Sequence, residues 1–326
     1  MSVDVRGVVY MLHGWAQNVH VFSNRVRKLT KRLNKAGYRV VFLQGPHRLP
    51  PVVAAHTSAD GEVNGDGNND GKDDDSSSSF SREYAYAWFL YDFPCDGKTQ
   101  DGDQSAAIRH SQQPLVLKPS PTGDFRGMDS SLAFLRNELR ADGNDFRKND
   151  HLDVATAPTA IVPPFFLFGF SQGAVLVHKV ATLACGNNCG GIGESDTKVS
   201  GCDSRGPWAN VQKCILVSGF SFTTSVRLNM GVDDYKSNND DDDDHLTEPL
   251  KISGSATGRR TIPSFHVVGR KDNRVSPHLT LELHSLEPCF DVRKKDRKVL
   301  WEHDRGHVVP QNRDFCDRLL EFLTVP

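Results

Sequence analysis

The stretch Phe165-Phe166-Leu167-Phe168-Gly169-Phe170-Ser171-Gln172-Gly173 decides the reading of this chain. The apolar run FFLFG (165–169) has the length and composition of a buried parallel strand. The segment directly behind it, AVLVHKVATLA (174–184), reads as a helix. Between them, Gly169-Phe170-Ser171-Gln172-Gly173 fits G-x-S-x-G. That pattern is weak alone, because glycine and serine are common; the strand before it and the helix after it give it meaning. A sharp strand-to-helix turn strains the serine backbone, and Gly169 and Gly173 leave room where a Cβ would clash. The serine oxygen then stands at the carboxyl edge of a sheet, above a helix N-terminus whose dipole favours developing negative charge. The bland alternative is a tight turn holding an incidental serine.

A serine hydroxyl needs a base to accept its proton, and the base needs an acid to orient it. On a scaffold of this kind the chain order is serine, acid, histidine. Downstream, the apolar run SFHVVG (264–269) leads to Asp272 in GRKDNRVSP, and KVLWEH (298–303) leads to His307 in HDRGHVVP. An acid at a strand end can hold an imidazole, and a base on a loop can swing over the sheet edge. His303 is the rival base, but its place inside the strand favours a structural role. Asp304, solvated and on the same loop as the base, is a poor rival acid. His303 and His307 also have the i, i+4 spacing of a zinc pair, yet they flank Gly306 and lack the H-E-x-x-H glutamate.

Further back, VRGVVYML (5–12) is a strand candidate that ends at His13-Gly14-Trp15-Ala16-Gln17. An oxyanion needs backbone N–H donors aimed at it. Gln172, next after the serine, and Trp15, next after His13-Gly14, are the expected pair. His13 is expected to hydrogen-bond locally and shape the loop. Residues 38–43 and 213–219 supply further strand candidates. Helical spacing places Phe22, Val26, Leu29 and Leu33 in one helix over 22–36. It places Phe125, Met128, Leu132, Leu135 and Leu139 in another, and a closing helix falls at about 311–323. Strands alternating with helices predict a mainly parallel sheet covered on both faces.

Composition is consistent with one domain over 1–326 that carries polar insertions near 57–82, 95–124, 185–209 and 231–260. They depress the hydrophobic fraction to 37%. DGEVNGDGNNDGKDDDSSSS (60–79) and NNDDDDD (238–244) cannot bury enough apolar surface to offset their ordering entropy, and are expected to be disordered loops. Asp66 to Gly71 imitates half a calcium loop, but Ser77 stands where a bidentate Glu is required. Cys185, Cys189 and Cys202 lack a C-x-x-C pair.

A net charge of −2 and the absence of a Lys/Arg block argue against nucleic acid. No apolar run approaches a membrane span, and the start lacks a secretory signal. Seven scattered cysteines fit a reducing compartment. The expected location is the cytoplasm, with the nucleus open.

With Ser171, Asp272 and His307 in place, the sequence resembles the FSH-type serine hydrolases, the group that includes the ovarian-cancer-associated homologue. The resemblance rests on LHGWAQN (12–18) with Phe22, FLQGPH (42–47), YAWFLYD (86–92), FGFSQGA (168–174), SGF (218–220), VVGRKDNRV (267–275) and HDRGHVVP (303–310). Acyl-protein thioesterases share the S-Q-G turn but usually open LHG-x-G-D, which Gln17 and Asn18 do not match. The resemblance implies an α/β-hydrolase fold, here with low-complexity loop insertions, and a serine hydrolase acting on carboxylic esters or thioesters. The triad would be Ser171, Asp272 and His307, and the oxyanion donors Trp15 and Gln172. The chemistry would form an acyl-enzyme and need no metal or organic cofactor. Trp88, Phe89 and Phe220 would line an acyl pocket, unless they are plain core. Small acyl esters or thioesters are the expected partners. The alternatives are a phospholipase or acyl-protein-thioesterase-type carboxylesterase, and a non-catalytic binding protein on the same scaffold.

Overall fold

Alternation of side chains along the strands builds the molecule. In the computed structural model, residues 5–49, 84–90, 115–117, 125–149, 163–186, 208–221, 226–228, 261–286 and 298–325 are described. Strands β1 (Gly7–Leu12), β2 (Tyr38–Leu43), β6 (Phe165–Phe170), β7 (Val211–Val217), β9 (Ser264–Gly269) and β10 (Lys298–His303) form a six-stranded sheet in the order β10-β9-β7-β6-β1-β2. Every neighbouring pair in it is parallel. Val8, Tyr10, Leu12, Phe165, Leu167, Cys214 and Leu216 face one apolar cluster. Val9, Met11, Phe166, Phe168, Ile215 and Val217 face the other. Burial on both faces is why these strands read as continuous apolar runs.

The helices divide accordingly. Leu135 of α3 (Met128–Asn149) and Leu176 of α4 (Gln172–Gly186) fill the first cluster, joined by Leu283 of α5 (Pro277–Leu286). Leu29 and Leu33 of α2 (Arg27–Lys35) and Leu319 of α6 (Arg313–Thr324) fill the second. The predicted helix over 22–36 is in fact two. It breaks at Val26 (φ −107°, ψ 18°) between α1 (Val19–Arg25) and α2. Gln311 supports the break from far along the chain. Its side-chain oxygen accepts from the N–H of Lys28 (2.9 Å) and Leu29 (3.4 Å), and its amide donates to the Arg25 carbonyl (2.5 Å). These N–H groups at the start of α2 have no intrahelical partner.

At the other end of α6, the Lys213 ammonium of β7 donates to the carbonyls of Phe322 (2.6 Å), Leu323 (3.3 Å) and Val325. That buried lysine ties the last helix to the sheet.

Two small antiparallel pairs complete the described architecture: β3 (His47–Leu49) with β4 (Ala85–Ala87), and β5 (Leu115–Leu117) with β8 (Val226–Leu228). Strand β5 lies inside the stretch 95–124 expected to be a disordered insertion, so that expectation does not hold for its Leu-Val-Leu core. Trp208, inside 185–209, is also buried. The segments 60–79 and 238–244, the calcium-like stretch and Cys189 and Cys202 lie outside the described residues.

Candidate active site

Because the sheet is parallel, the residues that follow β1, β6, β9 and β10 emerge at one edge. The turn after β6 carries Ser171, whose backbone is left-handed at φ 54° and whose N–H donates to the Val217 carbonyl at 2.8 Å. For a residue with a Cβ this conformation costs about 1 kcal/mol or more. The approach of the elbow to β1 explains Gly173, whose added Cβ would lie 2.5 Å from the Leu12 carbonyl oxygen and 2.7 Å from that of His13. Gly169, the other elbow glycine, lies within β6 just before Phe170.

Asp272 follows β9 in a turn closed by its N–H on the Gly269 carbonyl (3.0 Å). One carboxylate oxygen accepts from the N–H groups of Arg274 (3.0 Å) and Val275 (2.9 Å). The other accepts from His307 Nδ1 at 2.7 Å. Burial pushes the Asp272 carboxyl up. The His307 hydrogen bond and charge, the Val275 N–H and the nearby Ser218 hydroxyl outweigh it, so the pKa lies below the ordinary carboxylate value. Ser218 contributes by proximity, since its hydroxyl makes no hydrogen bond of ordinary geometry.

His307 sits on the loop after β10. Its ring lies 4.7 Å, centroid to centroid, from Phe170, the residue immediately before Ser171. The loops that carry Asp272 and His307 are joined by Arg270 N–H to the His303 carbonyl (2.8 Å) and Lys271 N–H to the Arg305 carbonyl (3.2 Å). His303 ends β10 and its Nδ1 accepts from the Arg305 N–H at 3.2 Å. Desolvation lowers its pKa, opposed by the charge of Asp272. Asp304 is exposed and faces Arg270 at 3.6 Å. Among the described residues no group of three His, Cys, Asp or Glu side chains is placed to hold a metal ion.

The loop after β1 meets the elbow closely: a Cβ on Gly14 would lie 3.2 Å from the Ser171 Cβ. His13 is wholly buried, its Nδ1 donates to the Gly14 carbonyl (2.8 Å), and its Nε2 accepts from the Gly45 N–H (3.0 Å). The Gln44 amide lies 3.0 Å from the same Nε2. Desolvation lowers the His13 pKa to about 4, against a smaller rise from the Gly14 carbonyl. The ring is therefore neutral and in one tautomer. A peptide unit is planar and trans, so holding the Gly14 carbonyl also fixes where the Trp15 N–H points. The Gly14 N–H is taken up by the Gln17 side-chain oxygen at 3.0 Å. Trp15 itself packs partly buried against the core.

Trp88, Phe89 and Phe220 are each at most 1% exposed and belong to the first core cluster. Phe89 stacks on Phe125 at 4.6 Å, and Phe125 meets Phe220 edge-on at 6.5 Å.

Residues 1–319 match the family described as serine hydrolase (FSH1). The chain belongs to the FSH1 serine hydrolase family. Rhodanese-like domain-containing protein 6 of Arabidopsis thaliana is 22% identical over 316 residues, 97% of this chain and 38% of that relative. This FSH1-family chain thus spans well under half the length of the curated relative. Among solved structures it is similar to Zea mays acyl-protein thioesterase 2 (15% identity, 98% and 94% of the two chains, TM-score 0.47). It is also similar to esterase PE8 (13%, 98% and 92%, TM-score 0.46) and Arabidopsis thaliana SOBER1 (10%, 98% and 98%, TM-score 0.45).

Sequence reasoning missed what the glutamine side chains and Trp88 do. The Gln172 side-chain oxygen accepts from the Trp88 N–H (2.8 Å), and its amide donates to the Phe89 carbonyl (2.7 Å). The indole N–H of Trp88 donates to the His13 carbonyl (2.9 Å). The glutamine in S-Q-G was visible as a motif letter, but its partners lie just after β4, a distant segment that no local pattern connects to it.

Proposed function

We propose that this chain hydrolyses carboxylic esters, with thioesters as the related class, through a Ser171–His307–Asp272 triad and an acyl-enzyme. The observation that carries the reading is the 2.7 Å Asp272–His307 hydrogen bond, with the His307 ring against Phe170 beside the strained Ser171. His307 Nδ1–H is held by the carboxylate, which leaves Nε2 as the atom that takes the serine proton when its oxygen attacks the carbonyl. The N–H groups of Trp15 and Gln172 hold the oxyanion. His307 returns the proton to the leaving alcohol or thiol, and water then releases the acid by the same route. No step draws on a metal or organic cofactor.

The buried aromatics Trp88, Phe89 and Phe220 back an apolar acyl site, and small acyl esters are the substrates. The working compartment is the cytoplasm; among the described residues no helix is long and apolar enough to cross a membrane.

The test is a panel of p-nitrophenyl esters and acyl thioesters, run on wild type and Ser171→Ala, with fluorophosphonate labelling alongside. Turnover and labelling that vanish in Ser171→Ala support the reading, and the preferred chain length separates a short-chain esterase from a thioesterase of long acyl groups. A wild-type protein that neither turns over nor labels is a binding protein on a hydrolase scaffold.

A further inference from the structure

We infer that Trp88 is a positioning residue for catalysis, the joint that holds the two halves of the oxyanion hole in register. This rests on the triad reading above and assigns Trp88 a task beyond lining an acyl site.

The two proposed oxyanion donors belong to segments far apart in the chain. Trp15 N–H comes from the loop after β1, and Gln172 N–H from the first residue of α4. An oxyanion is stabilised only if both donors lie within about 0.2 Å of a hydrogen-bonding distance of roughly 2.9 Å. Each segment must be fixed, and so must their separation.

Each half has its own local support. His13 Nδ1 and the Gln17 side chain hold the two ends of Gly14, and so the peptide that carries the Trp15 N–H. The elbow is held by the Ser171 N–H on Val217. Trp88 contacts both halves with directed bonds. Its indole N–H donates to the His13 carbonyl, two residues before Trp15. Its backbone N–H donates to the side chain of Gln172, whose own N–H is the other donor.

The rest of Trp88 is equally constrained. Its carbonyl accepts from the Ser131 hydroxyl of α3. Its ring lies 5.3 Å from His13 and 6.3 Å from Phe134. The strand before it is anchored to the same loop by the Tyr86 N–H on the Gln17 carbonyl at 2.9 Å. Trp88 is 0% exposed, so neither bond competes with water. A buried indole N–H needs an acceptor, and here that acceptor is a carbonyl of the loop that carries the Trp15 N–H.

The test uses the full chain and two variants. Trp88→Phe keeps an aromatic ring and removes the indole N–H. Gln172→Met keeps the length and removes the side-chain amide with both its acceptor and its donor, and so breaks the joint from the other side. For each, kcat and KM for an ester, the rate of Ser171 labelling by a fluorophosphonate, the affinity for a trifluoromethyl ketone and the melting temperature are measured.

The expected result is a fall of about 10- to 100-fold in kcat and in labelling rate, with KM within about twofold. Trifluoromethyl ketone affinity falls in parallel, because that adduct carries the oxyanion. The pH midpoint of kcat/KM stays where it is, because the His307–Asp272 arm is untouched. Should Trp88→Phe fail to fold, Gln172→Met decides. A folded variant whose kcat and ketone affinity stay within about twofold of wild type overturns the inference and leaves the triad standing. A wild-type protein that does not label at Ser171 overturns the triad reading and this inference together.

Discussion

Ser171 and His307 carry the sharpest consequences at the level of single residues. His307 is bound to Asp272 while His303 is bound to the backbone N–H of Arg305. His307→Ala should therefore cost several orders of magnitude in turnover, since serine and histidine act as a unit. His303→Gln should cost about 1 kcal/mol of stability and little turnover. Measuring both properties for the two variants side by side decides the base. Severe loss of turnover in His303→Gln at unchanged stability, with His307→Ala active, would exchange their roles. Ser171 makes a second prediction through its backbone. At φ 54° an alanine keeps the strain of the turn and a glycine relieves it. Both variants lose turnover, but Ser171→Gly should exceed Ser171→Ala in stability by about 1 kcal/mol in denaturant melts. Equal stabilities would mean that the turn stores no strain.

Among the elements, the junction of α1 and α2 shows what a sequence pattern hides. Phe22, Val26, Leu29 and Leu33 do line one apolar face, and all are buried in the second cluster as helical spacing implies. The pattern carries no sign of the break at Val26, because its support, Gln311, is nearly the whole chain away. Gln311→Ala should destabilise the protein by about 1–2 kcal/mol, since it strips a partner from two N–H groups and one carbonyl. Gln311→Glu should recover part of that loss, because a carboxylate still accepts from both N–H groups and suits a helix N-terminus, although it has no donor for the Arg25 carbonyl. Chemical denaturation of the three proteins checks this, and equal losses in both variants would show that the N–H contacts contribute nothing. The same contrast runs through the rest of the fold. The inner strands β1, β6 and β9 were legible because burial on both faces leaves unbroken apolar runs, and the edge strands β2 and β10 because short apolar stretches survive between their charged residues. The elbow was legible because its chemistry is local. Strand β5, at Leu115–Leu117, was hidden in a polar stretch, since a three-residue strand leaves too short a run to stand out. The Gln172–Trp88 contact was hidden because it joins elements by side chain rather than by periodicity.

Across the whole molecule, the carboxyl edge of the sheet is assembled around one neutral imidazole. His13 links the loop after β1 to Gln44 and Gly45 after β2, its carbonyl receives the Trp88 indole, and the elbow packs against that carbonyl at Gly173. The Gly45 bond requires an Nε2 that accepts, and a protonated ring has no acceptor. In the folded protein His13 titrates near 4, against 6.5 when unfolded. Between those values the unfolded chain binds a proton that the folded chain refuses, so stability rises with pH across the window and is lost as pH falls. The contribution is complete above pH 6.5. It should drop by about 2 kcal/mol between pH 7 and pH 5, and approach about 3 kcal/mol near pH 4. The lowered carboxyl of Asp272 adds to the loss only below its unfolded value of 3.8. The other titrating groups are common to wild type and His13→Asn, and cancel when the two are compared. Denaturant melts at pH 7 and pH 5 should show wild type losing about 2 kcal/mol more than His13→Asn, although the variant starts less stable. Parallel pH dependences would mean that His13 takes up its proton in the folded state as readily as in the unfolded one. The catalytic edge would then not be built on a neutral ring.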